Sequence, residues 1–280
     1  MRKIGVLIIL MSLFSMSFTE AYAKKKPEKQ SRISRKYKTK EAKYQAAKTY
    51  YAKGAYLTAA QLFDEVYPLY ISAREGDTIL FMLAESYMKN ADFLMGAFHF
   101  KDYLHRYPHS SRADEASFLA ARCYYLNSPS YNLDQGDSYL AIESLELFVN
   151  AYPKSKFVEA ANGMIDTLQS KLAKKDFNIA VMYYNTGNYK SAQVSFNNLL
   201  KDYPGTPYTE EVYYYMTKNC YEYAQKSVEA KKVERYQMAI DNCVRLKALK
   251  PNSQFLSEAE KLMNEATKKR DKILETQKNK

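Results

Sequence analysis

Apolar positions recur along the chain in a fixed order relative to a set of helix-breaking prolines. Pro108, Pro153, Pro204 and Pro251 are spaced by 45, 51 and 47 residues, and the first three follow a tyrosine. Twelve residues before each stands a small residue (Gly96, Ala141, Ala192, Ala239), and two residues after each a hydroxyl (Ser110, Ser155, Thr206, Ser253). An aromatic precedes the small residue by three positions at Tyr56 (before Ala59), Phe93, Tyr189 and Tyr236. Six residues earlier lies a tyrosine in three units, Tyr50, Tyr87 and Tyr183, with Ala47, Ala84 and Ala180 three further back. Gly54 and Gly187 occupy one turn position, which Ala91 fills in the second unit.

Each part has a physical role in a helical hairpin. The small residue lets two helix axes approach within the usual 8–10 Å. Proline stops the second helix, and the hydroxyl after it is placed to cap the next one. Acidic residues soon after, including Asp114, Glu115, Glu159, Glu210, Glu211 and Glu258, suit the positive end of a helix. The pattern predicts an all-α fold of five hairpins at about 37–70, 74–107, 111–152, 155–203 and 207–250, with a polar closing helix at about 253–276. One hairpin cannot bury its own apolar face, whereas stacked hairpins do. Two irregularities stand out: an insert over 127–136 between the helices of the third unit, and an unusually long first helix in the fourth, ending at Gly187.

The order of small, Tyr, Gly, Tyr, Ala, aromatic and Pro resembles the tetratricopeptide repeat, most closely over Gly187-Asn188-Tyr189-x-x-Ala192-x-x-x-Phe196 and on to Pro204. The period departs from the family's 34 residues. Longer helices or turns must take up the difference. The first unit departs further, with its proline at Pro68.

Composition narrows the alternatives. Of 280 residues 46% are hydrophobic and 26% charged, too apolar for a disordered chain. Only 8 Gly and 8 Pro accompany 27 Tyr and 13 Phe, so the turn density of a β-sandwich or barrel is missing. No Gly-x-Gly-x-x-Gly, Walker loop or Gly-x-Ser-x-Gly occurs, and no nucleophile stands beside a base, so neither an enzyme, a cofactor nor a small-molecule substrate is expected. His99, His105 and His109 invite a metal reading, but six residues on a helix set the first two about 240° apart. No metal site is expected.

The first 23 residues read as a secretory signal: Arg2 and Lys3, an apolar core from Ile4 to Phe14, and Ala21-Tyr22-Ala23 before the cut. No cysteine follows to carry a lipid. Of the net charge of +11, most lies in a basic linker opening at 24–36 and running on to Lys43, with ten Lys or Arg against Glu28 and Glu41. In an exported protein its available anions are lipid head groups, wall polymers and acidic partner surfaces, with no nucleic acid.

The export signal, the five long units, Lys89-Asn90-Ala91-Asp92 and the insert Ser128-Pro129-x-Tyr131-Asn132-Leu133-Asp134-Gln135 together resemble the BamD family of outer-membrane β-barrel assembly factors, in its Bacteroidetes form. That resemblance implies a non-enzymatic periplasmic scaffold on the inner face of the outer membrane. It would bind a BamA-type barrel protein through C-terminal repeats and unfolded outer-membrane precursors through N-terminal ones. Groove positions carried over from the repeat are Tyr44, Lys48, Tyr51, Phe81, Met88 and Lys89, with Tyr184, Tyr213 and Tyr214 toward the barrel-protein partner. The family's usual lipid anchor lacks its cysteine here, so attachment through the partner, aided by the basic arm on anionic lipid, would replace it. An exported repeat adaptor organising cell-wall or envelope machinery is the alternative.

Three cysteines remain. A turn centred near residue 232 would set Cys220 and Cys243 level on antiparallel helices and allow a disulfide, with two buried free thiols as the other reading. Cys123 has no evident partner and is expected to pack as a small hydrophobe.

Overall fold

The computed structural model describes residues 36–278, in which every regular element is a helix. The helices are α1 (Lys40–Ala52), α2 (Tyr56–Val66), α3 (Gly76–Lys89), α4 (Phe93–Arg106), α5 (Ala113–Asn127), α6 (Gly136–Ala151), α7 (Val158–Asn185), α8 (Tyr189–Asp202), α9 (Thr209–Gln225), α10 (Glu229–Leu249) and α11 (Leu256–Lys278). A 3-10 turn, Tyr67–Leu69, follows α2 at Pro68. The expected signal and most of the basic linker lie outside the described residues.

The chain divides into two compact units between Asp92 and Phe93, so the second expected hairpin is shared: α3 closes the first unit and α4 opens the second. In the first unit α2 packs against both α1 and α3. In the second unit each helix from α4 to α11 packs on the next, and α5, α7, α9 and α11 also touch in succession. That next-but-one contact joins the first helices of successive pairs, as stacked repeats require. The small residues do what their spacing asks, since Gly96, Ala59, Ala141, Ala192 and Ala239 are all buried at helix crossings. Around them Phe118 stacks on Phe157 at 4.7 Å and approaches Phe148 at 5.5 Å.

Three turns share one backbone form. Gly54 (φ +76°), Ala91 (φ +61°) and Gly187 (φ +75°) are left-handed, and the following amides of Ala55, Asp92 and Asn188 return to the carbonyls of Tyr50, Tyr87 and Tyr183 at 2.9–3.0 Å. This is a Schellman ending, which favours glycine because a Cβ crowds the neighbouring carbonyl.

The hydroxyls after the prolines do not act as helix caps. Ser110, Ser155, Thr206 and Ser253 accept instead from the amides two residues on, at 3.1–3.4 Å, closing a turn before the helix begins. Ser155 also donates to Asp114 (2.8 Å), and Ser253 to Glu210 (2.6 Å). First-turn carboxylates therefore tie one repeat to the turn that opens the next.

The two irregularities belong together. Gln135, almost fully buried, donates to the carbonyls of Ser130 (2.8 Å) and Leu133 (3.0 Å) and accepts from Ser138 (2.8 Å), which folds the insert on itself. The 28-residue α7 then holds the insert from outside. Lys171 donates to Ser128 Oγ (2.8 Å) and to the Pro129 carbonyl (2.9 Å), Lys175 donates to the Leu133 carbonyl, and Lys174 lies 4.5 Å from the Tyr131 ring centre. Burial holds Lys171 below its ordinary pKa.

Candidate functional site

Helices α1 and α3 carry the residues expected to face an incoming chain. Tyr44 is half-buried, with its ring 5.8 Å from Tyr70 and 6.4 Å from Phe63. Lys48 places its ammonium 4.6 Å from the Tyr44 ring centre, and Lys40 does the same over Tyr70 at 4.8 Å. Burial, then Glu75 and Asp77, raises the Tyr44 pKa. Tyr51 donates to Glu85 (2.9 Å) and accepts from Lys89, whose ammonium also lies 4.5 Å from its ring centre and 5.7 Å from that of Tyr56. Burial opposes the Lys89 charge, but the Tyr51 hydrogen bond and Glu85 hold its pKa above the ordinary value. Met88 is half-buried and Lys89 exposed. The face thus presents tyrosine rings edged by ammonium groups, a chemistry suited to aromatic side chains and carboxylates.

Phe81 must be taken off that face. It is fully buried, because α3 turns Ile79, Leu80, Phe81, Leu83 and Ala84 inward on more than one side.

In the second unit the three partner-facing candidates are largely internal. Tyr214 is only 7% exposed and stacks on Phe255 at 4.8 Å, so the closing helix covers it. Lys218 donates to its hydroxyl (3.2 Å), and a Tyr214 hydrogen bond holds Glu258 below its ordinary pKa. Tyr184 is half-buried and donates to Glu222, which also accepts from Tyr189 at 3.1 Å. Tyr213 is half-buried between two core clusters. No single surface collects these three.

The sequence reading missed a recurring tie between first helices. Glu85 and Lys89 engage Tyr51, Glu222 engages Tyr184 and, together with Lys226, Tyr189 at the start of the second helix α8, and Glu265 and Lys269 engage Tyr221. The signal was a Glu-x-x-x-Lys at one-turn spacing, set 34 to 44 residues after a tyrosine.

The cysteines are free thiols, and no bond joins Cys220 to Cys243. The turn falls at Lys226–Val228, short of the expected 232, and Cys243 packs in a cluster with Tyr214 while Cys220 packs with Tyr221, Tyr236 and Ala239. Asn242, the neighbour of Cys243 on α10, donates to Cys220 Sγ at 3.6 Å, and one residue step turns a helical side chain by about 100°, so Cys243 is directed away from Cys220. Cys220 donates to Gln193 Oε1 (2.8 Å) instead. Among the described residues no group of three His, Cys, Asp or Glu is placed to hold a metal, and no helix is long and apolar enough to cross a membrane.

Fold and surface together define a helical repeat scaffold of the tetratricopeptide type. The chain belongs to the YfiO family, described as outer membrane lipoproteins, whose model matches residues 36–236. It is 28% identical over 109 residues to the outer membrane protein assembly factor BamD of Caulobacter vibrioides, covering 39% of this chain and 36% of that protein. The BamD proteins of Helicobacter pylori (23% over 100 residues, 36% of this chain and 46% of that one) and Rickettsia prowazekii (27% over 99 residues, 35% and 39%) are also similar. Each match spans less than half of the relative's own length. Among solved structures, a TPR repeats protein from Bacteroides fragilis aligns with a TM-score of 0.44 at 12% identity over 82% of this chain and 98% of that one. The P58(IPK) TPR domain aligns with a TM-score of 0.39 at 15% identity, over 86% and 67%.

Proposed function

We propose that this protein serves outer-membrane protein assembly as a non-enzymatic periplasmic scaffold, associated with the inner face of the outer membrane. In this reading its C-terminal repeats bind a BamA-type barrel protein and its N-terminal repeats receive unfolded outer-membrane precursors. The observation that carries the reading is the family match, which spans residues 36–236 and so takes in the described part of the first unit and most of the second. The surface of α1 and α3 supports the precursor half of it. Tyr44, Lys48, Tyr51, Met88 and Lys89 offer aromatic, thioether and ammonium groups to a strand of alternating aromatic side chains. The partner half rests on α9 to α11, where Tyr213 is the more accessible of the adjacent tyrosines and Tyr214 serves the packing beneath.

The test is a pull-down of tagged protein from solubilised envelopes, with mass spectrometry of what survives a salt wash. Near-equal recovery of a barrel protein supports the assembly role. Recovery of wall enzymes alone, or of nothing resistant to salt, defeats it.

A further inference from the structure

The second unit carries an exposed face that the assembly reading does not use, at the step between the third and fourth pairs of helices. On α6, Tyr139, Leu140 and Leu147 are 57%, 38% and 63% exposed, large apolar groups spread over about 12 Å of helix. Helix α6 contains no lysine, arginine or histidine; it exposes Asp137 just before these side chains and exposes or half-exposes Ile142, Glu143 and Glu146 between them. Burial, then a hydrogen bond with the Tyr139 hydroxyl, raises the Tyr203 pKa.

Tyr203 leads into an open-mouthed cavity of about 170 Å³ lined by Asp166, Gln169 and Ser170 of α7 and by the turn Tyr203–Pro207. The only charged side chain in its wall is the Asp166 carboxylate. Among the described residues Glu143, Glu146 and Asp166 have no ion-pair partner. Beyond Asp166 the surface continues along the exposed start of α7 past Gly163, Asn162 and Glu159 to Lys156, whose ammonium lies over the Phe157 ring at 4.9 Å.

An apolar rail flanked by uncompensated carboxylates, beside a hollow the size of one side chain and walled by another carboxylate, selects its occupant by charge. We infer that this face docks a lysine- or arginine-bearing amphipathic helix of a partner protein. Its apolar stripe lies along Tyr139, Leu140 and Leu147, and one cationic side chain enters the cavity beside Asp166. The exposed length of α6 accommodates about two turns of such a helix. The surface has the opposite charge from the ammonium-edged face of α1 and α3, so the two faces select different ligands.

The probe is a fluorescein-labelled amphipathic peptide of about 18 residues with leucines on one face and lysines flanking them, compared with the same peptide carrying glutamates for the lysines. Anisotropy titrations use the full chain and the variants Asp166→Asn, Asp166→Lys and Leu147→Asp, each checked by circular dichroism. The lysine peptide should bind saturably. Its affinity should fall roughly tenfold or more with Asp166→Lys or Leu147→Asp and less with Asp166→Asn, while Asp166→Lys should improve the glutamate peptide relative to it. Equal affinity for the two peptides, no saturable binding, or an Asp166→Lys variant indistinguishable from the parent overturns the inference. These results are independent of the envelope pull-down, which reads the assembly role alone.

Discussion

Tyr51 on α1 donates to Glu85 on α3 at 2.9 Å, and Lys89, one turn beyond Glu85, donates back to the same hydroxyl. The arrangement recurs where Tyr184 and Tyr189 share Glu222 beside Lys226, and where Tyr221 meets Glu265 and Lys269. A carboxylate and an ammonium one turn apart thus hold a tyrosine of the preceding repeat. The tyrosine gains a charged acceptor and donor in place of water, and the two first helices are fixed in register.

Removing Glu222 should therefore cost more than removing one of its donors. Hydrogen bonds to charged groups are worth about 1.5–3 kcal/mol, less where water still reaches them, so Glu222→Ala should lose about 2 kcal/mol and Tyr184→Phe about 1 kcal/mol. In a double-mutant cycle by urea unfolding the two losses should fall short of additive. Full additivity would mean that the contact carries no coupling.

The same ties explain what the sequence did and did not disclose. Helix positions were legible because Gly96, Ala141, Ala192 and Ala239 must be small and Pro108, Pro153, Pro204 and Pro251 must end helices, and these demands act within one hairpin. Side-chain roles were not, because Tyr44, Tyr51 and Tyr184 have the same type and spacing whether they face a ligand or the next repeat. Tyr214 shows the difficulty: its periodicity places it on α9, but whether it is exposed depends on α11 arriving above it. Phe81 went astray because α3 buries more than one stripe, and the disulfide because similar height on two helices does not fix the direction in which each side chain points.

Among the described residues Ala91 is the one non-glycine in a left-handed turn, at φ +61°. Its Cβ costs about 1–2 kcal/mol there, part of which glycine returns as unfolded-chain entropy. Ala91→Gly should therefore stabilise the protein by about 0.5–1 kcal/mol, while Gly187→Ala, at φ +75°, should destabilise it by a similar amount. Thermal or urea midpoints decide. A loss of stability in Ala91→Gly would show that the alanine side chain is wanted for something other than the turn.

Lys171 ties the insert to α7 through two hydrogen bonds while burial disfavours its charge. Lys171→Met keeps the aliphatic stem and removes both bonds, so global stability should change by less than about 1 kcal/mol because relief of the desolvated charge offsets the lost contacts. Local order should suffer more. Amide exchange across 128–135 should quicken and proteases should cut there, with the helices protected as before. Gln135→Ala, which removes the inner bonds as well, should open the segment further. Unchanged exchange in both variants would mean that Pro129 and the helix ends alone hold the insert.

Burial pushes the Cys123 and Cys220 thiols up to about 12 and the Cys243 thiol up to about 11, from a usual 9.0. Folded, the three should resist a thiol reagent at pH 8, because neither thiolate nor access is supplied, and should react together once urea unfolds the chain. The same shifts set an alkaline limit. A pKa raised by folding contributes stability in full below the unfolded value and loses it as pH climbs through the folded one, so the loss begins near pH 9 and grows toward pH 11–12. Tyr184 adds to it from about pH 10, since burial and the Glu222 hydrogen bond raise its pKa as well. Urea midpoints at pH 7.5, 9 and 10.5 should fall in that order, and Cys123→Ala should flatten the decline while lowering the midpoint at pH 7.5 only modestly. Prompt labelling of all three thiols in the native protein at pH 8 would contradict the burial on which both expectations rest.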